Sequence, residues 1–175
     1  MPTLVLHGTP RVRLPGGHER PLSAREAALL AWLHLEGPTP RARLAAWLWP
    51  EGSDAQARAN LRQTLARLKR SAGALWTEGD GGLALADGVR VADDDGQPLL
   101  GPLRVDDAEA LSRWLDDHRA AQQRDRQRRT RDDLRRLLDD GRLDDAQAAS
   151  DALLASDPES EEAWRKEWRA SSQAA

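Results

Sequence analysis

The sequence contains no cysteine, no phenylalanine and no tyrosine, and only one methionine. The missing cysteines exclude disulfide scaffolds, thiol nucleophiles and cysteine-ligated zinc, and with them every zinc finger. All aromatic bulk is tryptophan, seven residues among abundant Ala, Arg, Leu, Gly, Pro and Asp, which points to a GC-rich genome rather than to a function. No apolar run approaches the ~20 residues needed to span a bilayer. The N-terminus lacks the uninterrupted apolar stretch of a secretory signal, so a cytoplasmic protein without a membrane partner is expected. A net charge of −3 lacks the positive excess of proteins that coat nucleic acid indiscriminately. Catalytic spacing is missing too: His7, His18, His34 and His118 are scattered, and neither a phosphate loop nor a nucleophile elbow occurs. Asp93, Asp94, Asp95 and Gly96 have the composition of a calcium loop without its Glu at position 12, and read as a turn. No enzyme, catalytic residue, metal or cofactor is expected.

What is present is unevenly distributed. Residues 1–95 carry 12 basic against 11 acidic side chains, and residues 96–175 carry 14 against 18. Within the first part, residues 53–72 hold Arg58, Arg62, Arg67, Lys69 and Arg70 against the single acid Asp54. One segment therefore carries most of the positive field.

Hydrophobic periodicity and punctuation set the order of elements. Leu4 and Leu6, then Val12 and Leu14, alternate around Gly8, Pro10 and the Pro15-Gly16-Gly17 turn, as short antiparallel strands do. Ser23 and Glu26 form a capping box ahead of Ala27, Leu30, Ala31 and Leu33, and Gly37 ends that helix. Thr39 before Pro40 signals a second helix, closed by Pro50. A third runs from Ser53 or Asp54 to Gly73. Residues 76–91 then read as a hairpin around the turn 78–82 with a further short run at 89–91. The acidic stretch 92–98 marks the boundary between a domain over residues 1–96 and a helical one over residues 97–175. In the latter, helix is expected from Asp106 to Asp140, where Asp132/Arg135 and Asp133/Arg136 are spaced to pair. A second helix is expected over 143–156 and a third from Glu159.

Strands, three helices and a hairpin are the ground plan of a winged helix-turn-helix, whose third helix enters the major groove. At 100° per residue, Ala57, Leu61, Thr64, Leu65, Leu68 and Ala72 form one stripe for packing. Opposite lie Gln56, Asn60, Gln63, Arg67 and Arg70, which can bond adenine or guanine bidentately, with Ala59 and Ala66 permitting close approach. Arg58, Arg62 and Lys69 flank the stripe at angles suited to phosphates. A solvated Arg-rich helix is the bland reading, but such helices normally carry Glu partners, which this one lacks. The rival function is a protein-interaction adaptor built on the later helices. The Arg-rich stretch 124–136 is interleaved with Asp125, Asp132 and Asp133 and reads as a solvated helix face or an interdomain contact rather than a second nucleic-acid patch.

The run Leu22-Ser23-Ala24-Arg25-Glu26, then Leu44 and Leu48-Trp49-Pro50, then Ala57-Arg58-Ala59-Asn60-Leu61-Arg62 and Leu65-Ala66-Arg67-Leu68-Lys69 resembles the OmpR/PhoB-type winged helix of SARP-type bacterial activators, over about residues 1–92. That resemblance implies binding to double-stranded promoter DNA, often at direct repeats, with the hairpin 76–91 touching the minor groove or backbone. It also implies an RNA polymerase contact by the loop Trp49, Pro50, Glu51, Gly52 and Ser53. A departure is the wing, rich in Gly and Asp, where Arg90 is the only basic residue and the one expected to reach a phosphate. In the second half, Gly141, Leu143, Ala146 and Pro158 match one tetratricopeptide repeat and Trp164 opens the next, while Ser150 and Leu153 depart from it. This is similar to the start of the bacterial transcriptional activator domain of the same family, with Leu111, Trp114 and Leu115 in its first packing layer. The fold class expected is thus mainly α with small β: a winged helix-turn-helix followed by a tetratricopeptide-like helical domain. Since solenoids need three or more repeats, an N-terminal piece of a longer regulator is expected, the alternative being a short protein capped by its last helix. With no heptad seam, the chain is expected to be monomeric when free and to pair on DNA.

Overall fold

The computed structural model describes residues 1–93, 96–101, 103–105 and 107–156, with side chains to residue 149. Two compact units result, Met1–Arg119 and Ala120–Ala175. Helix dominates, accompanied by two small sheets.

In the first unit β1 (Thr3–Val5), β2 (Arg11–Arg13) and β3 (Glu19–Pro21) form an antiparallel meander. Leu4 faces Val12 across the ladder and both are fully buried. The β2–β3 turn uses Gly16 and Gly17 at positive φ (95° and 87°), a backbone region costly for any residue with a Cβ. Helices α1 (Ala24–Leu35), α2 (Arg41–Leu48) and α3 (Asp54–Ala72) follow, then β4 (Trp76–Gly79), β5 (Gly82–Leu85) and β6 (Arg90–Val91). The capping box is present, with the Ser23 N–H donating to Glu26 Oε2 at 3.0 Å. Ala27, Ala28, Leu29, Leu30 and Ala31 are all fully buried. So α1 is covered on nearly every side, as a helix without a polar face must be.

Thr39 does not cap α2, whose N-cap is Pro40. Instead, Thr39 and Leu83 exchange backbone hydrogen bonds at 2.8 and 2.9 Å, tying the hairpin to the α1–α2 connection. Gly82, at φ +101°, is needed at this joint because a Cβ would lie 2.3 Å from the Thr39 carbonyl oxygen. The Thr39 hydroxyl, 3% exposed, accepts from the Trp32 indole N–H at 2.9 Å and donates to the Gly37 carbonyl at 3.0 Å. Thr39→Val keeps the shape but strands both partners, so a loss of about 1–3 kcal/mol is expected in a urea melt.

The short run at 89–91 is not part of the hairpin. As β6 it pairs parallel with β1, giving the strand order β3-β2-β1-β6, while β4 and β5 stand alone as a two-stranded sheet. Nor does the first unit end near residue 96. Leu99, Leu100, Val105, Ala108, Leu111 and Leu115 belong to the same core as α1–α3, so apolar burial carries the unit to Arg119. Trp114, on α4 (Glu109–Asp139), lies 5.5 Å from Trp32 and 5.3 Å from Trp47 between ring centroids, and its indole N–H donates to Glu36 Oε1 at 2.7 Å. Leu111, Trp114 and Leu115 thus pack with the N-terminal elements and not in a repeat layer.

In the second unit α4 ends at Asp139, and just beyond it Gly141 (φ 70°) turns the chain, the N–H groups of Gly141 and Arg142 returning to the carbonyls of Leu138 and Leu137. The expected pairs are present, Arg135–Asp132 at 3.7 Å and Arg136–Asp133 at 3.0 Å. Helix α5 spans Leu143–Ser156 as its punctuation predicts. Ala146 and Leu134 are buried, whereas Leu143, expected at the aromatic position of the repeat, opens the helix 68% exposed. The third helix from Glu159, Pro158 and Trp164 lie outside the described residues.

Candidate nucleic-acid interface

Local chemistry fixes the ends of α3. The Ser53 hydroxyl accepts from the Gln56 N–H at 3.3 Å, and Gly73 closes the helix at φ 81°. Ala57, Leu61, Thr64, Leu65 and Leu68 are buried, Ala72 partly, and the helix packs on α1 and α2. The opposite side is therefore outward: Gln56, Gln63, Arg67 and Arg70 are exposed and Asn60 is half-buried. Gln56 and Asn60 are not independent, since the Gln56 amide N–H donates to Asn60 Oδ1 at 3.1 Å. This bond orients both amides. Arg58, Arg62 and Lys69 are exposed along the flanks, with Arg58 Nε donating to the Asp54 carbonyl at 3.1 Å.

The cations of the rest of this unit are largely neutralised. Arg11 and Arg13 share Glu19 at 3.0 Å each, Arg20 meets Glu26 at 2.8 Å, Arg25 meets Asp107 at 2.6 Å and Arg41 meets Glu78 at 2.6 Å. The Arg13 hydrogen bond holds the Glu19 carboxyl below its ordinary range, and the Arg41 pair does the same for Glu78. Among the described residues, none of Arg58, Arg62, Arg67, Lys69 and Arg70 has a carboxylate within 4.0 Å. Their field points outward uncancelled.

The hairpin is different. Arg41 Nε and Nη2 donate to the two Glu78 oxygens at 2.6 and 2.8 Å, fixing β4 to α2 and neutralising this cation. Between residues 76 and 85 the charged side chains are Glu78 and Asp80. Arg90, expected on the wing, sits exposed on β6 in the other sheet. Among the loop residues expected to meet a polymerase, Pro50, Glu51, Gly52 and Ser53 are exposed, but Trp49 is half-buried as the C-cap of α2.

A shallow cleft of about 380 Å³ joins the two kinds of residue, with Ser23, Ala24, Arg25 and Trp49 on one wall and Asn60, Gln63, Thr64 and Arg67 on the other. Arg25 and Trp49 were not expected there. The signal was the neighbour: Glu26 is buried, and the residue before it, a hundred degrees round the helix, falls beside the outward face of α3. Among the described residues no cluster of three or more His, Asp or Glu side chains could hold a metal ion, and no helix is long and apolar enough to cross a membrane. No model of a known protein family and no curated protein matches this chain.

Proposed function

We propose that this chain binds double-stranded DNA sequence-specifically, as the DNA-reading end of a bacterial transcription regulator, with α3 in the major groove. The observation that carries the reading is the outward face of α3: five cations without a counter-ion among the described residues, set beside the amide-bearing Gln56, Asn60 and Gln63. Such a face matches base edges and phosphates together. The element order, a small sheet, three packed helices and a hairpin, supports a winged helix-turn-helix, and the α4–α5 pair with buried Ala146 supports a tetratricopeptide-like helical part. Promoter DNA is the partner, and the exposed residues Pro50, Glu51, Gly52 and Ser53 offer a surface for RNA polymerase. The acidic hairpin has little to offer phosphates, so base and backbone contacts rest on α3. No catalytic role is assigned.

Selection of bound duplexes from a random pool, followed by competition titration against a scrambled duplex, tests this. Arg67→Ala should cost about 1–3 kcal/mol on the selected site and relax preference at one or two base pairs. Lys69→Ala should weaken selected and scrambled duplexes alike. Recovery of no sequence from the pool, with no affinity for any duplex, returns the adaptor reading.

A further inference from the structure

We propose that Arg25 is a DNA-phosphate ligand on the wall of the cleft opposite α3, and that Asp107 occupies it in the free protein as an exchangeable counter-ion. The inference rests on the DNA-binding reading above and adds to it a contact from α1. Arg25 lines the same cleft as Asn60, Gln63 and Arg67. Its guanidinium is held between two groups: Asp107 Oδ1, 2.6 Å from Nη2, and the Trp49 ring, 5.8 Å from the guanidinium carbon to the centroid. The Arg25 side chain is 16% exposed, and its Nη1 is buried without a hydrogen-bond partner among the described residues. Asp107 is 60% exposed. A planar guanidinium that lines the cleft, lies near an indole and is paired through Nη2 to an exposed surface carboxylate can change one anion for another.

A duplex that brings base edges to Asn60, Gln63 and Arg67 lays a phosphate rail along the other wall of the cleft. There the Asp107 carboxylate opposes it and the Arg25 fork matches it. Exchanging carboxylate for phosphate satisfies Arg25 and frees Asp107, two residues ahead of α4, so that DNA binding is felt where the chain enters that helix.

The test uses the full chain, the selected duplex and a scrambled duplex, titrated across a salt series, with a thermal melt of each variant. Asp107→Asn should tighten both duplexes about two- to fivefold without altering their ratio. Arg25→Ala should weaken both about five- to tenfold and flatten the slope of log K against log salt by about one, and Arg25→Lys should restore the slope. In an Arg25→Ala background, Asp107→Asn should gain little. Unchanged affinity in Asp107→Asn overturns the proposal, as does a gain of the same size without Arg25, which is a mere long-range charge effect. If the unaltered chain binds no duplex at all, the DNA-binding reading itself falls; if it binds and only the Arg25 and Asp107 variants are silent, this inference alone falls.

Discussion

Raising monovalent salt from about 50 to about 200 mM is expected to weaken the chain's grip on its best duplex roughly 250- to 1000-fold, a slope of about −4 to −5 in log K against log salt. The estimate counts the five free cations on the outward face of α3, not every basic side chain of the unit. Residues 1–95 contain 12 basic side chains, and if all reached phosphates the slope would be about −11. Arg11, Arg13, Arg20 and Arg41 are instead held by Glu19, Glu26 and Glu78, and each would have to surrender a carboxylate to release a counter-ion from DNA. Arg58, Arg62, Arg67, Lys69 and Arg70 surrender nothing. Fluorescence anisotropy at several salt concentrations reads the slope directly. A value near zero removes the electrostatic basis of the interface, and one steeper than about −8 means that the sheet arginines engage as well.

The parts of this interface legible in the sequence are those whose causes are local. Ser53 and Gly73 bracket α3 because a hydroxyl and a left-handed glycine act within one turn. The stripe from Ala57 to Leu68 was readable from spacing alone, as were the Arg–Asp pairs of α4. What stayed hidden depends on partners far along the chain. Nothing near Arg90 reveals that it pairs with Thr3 in a parallel ladder. Thr39 looks like a helix cap until Leu83 arrives to claim its backbone groups. The acidic stretch after Val91 resembles a domain boundary, yet Leu99 through Leu115 return to the first core, and Trp114 reaches Glu36 across 78 residues. Glu78 changes meaning in the same way. In the sequence it is one more turn residue, whereas in the fold it is the clamp that takes Arg41 from the hairpin's surroundings.

Glu26→Gln is expected to destabilise the first unit by about 3 kcal/mol at neutral pH, the lower end of the cost of breaking a buried ion pair. Glu26 is 2% exposed. Its Oε1 accepts from Arg20 Nη2 at 2.8 Å and its Oε2 from the Ser23 N–H at 3.0 Å, so one carboxylate joins β3 to the first turn of α1. Glutamine can satisfy one of these donors but supplies no charge, and Arg20, one-fifth exposed, recovers only part of its hydration. Burial pushes the Glu26 carboxyl upward, but the hydrogen bonds from Arg20 and Ser23 outweigh it and the group lies below its ordinary value. The folded chain therefore binds this proton less readily than the unfolded chain. The stabilisation is complete above the unfolded carboxylate value of about 4.3 and is lost as pH falls through the lower folded value. Urea melts of the parent and variant between about pH 3 and pH 7 should accordingly show a gap that is widest at neutrality and narrows in acid. Because Glu19 and Glu78 remain in both proteins, their own acid sensitivity cancels from the difference. A variant within 1 kcal/mol of the parent at pH 7, or a gap that does not narrow in acid, would mean that the clamp contributes no net stability. The joint would then rest on the apolar contacts of Leu22, Ala27 and Leu30 beside it.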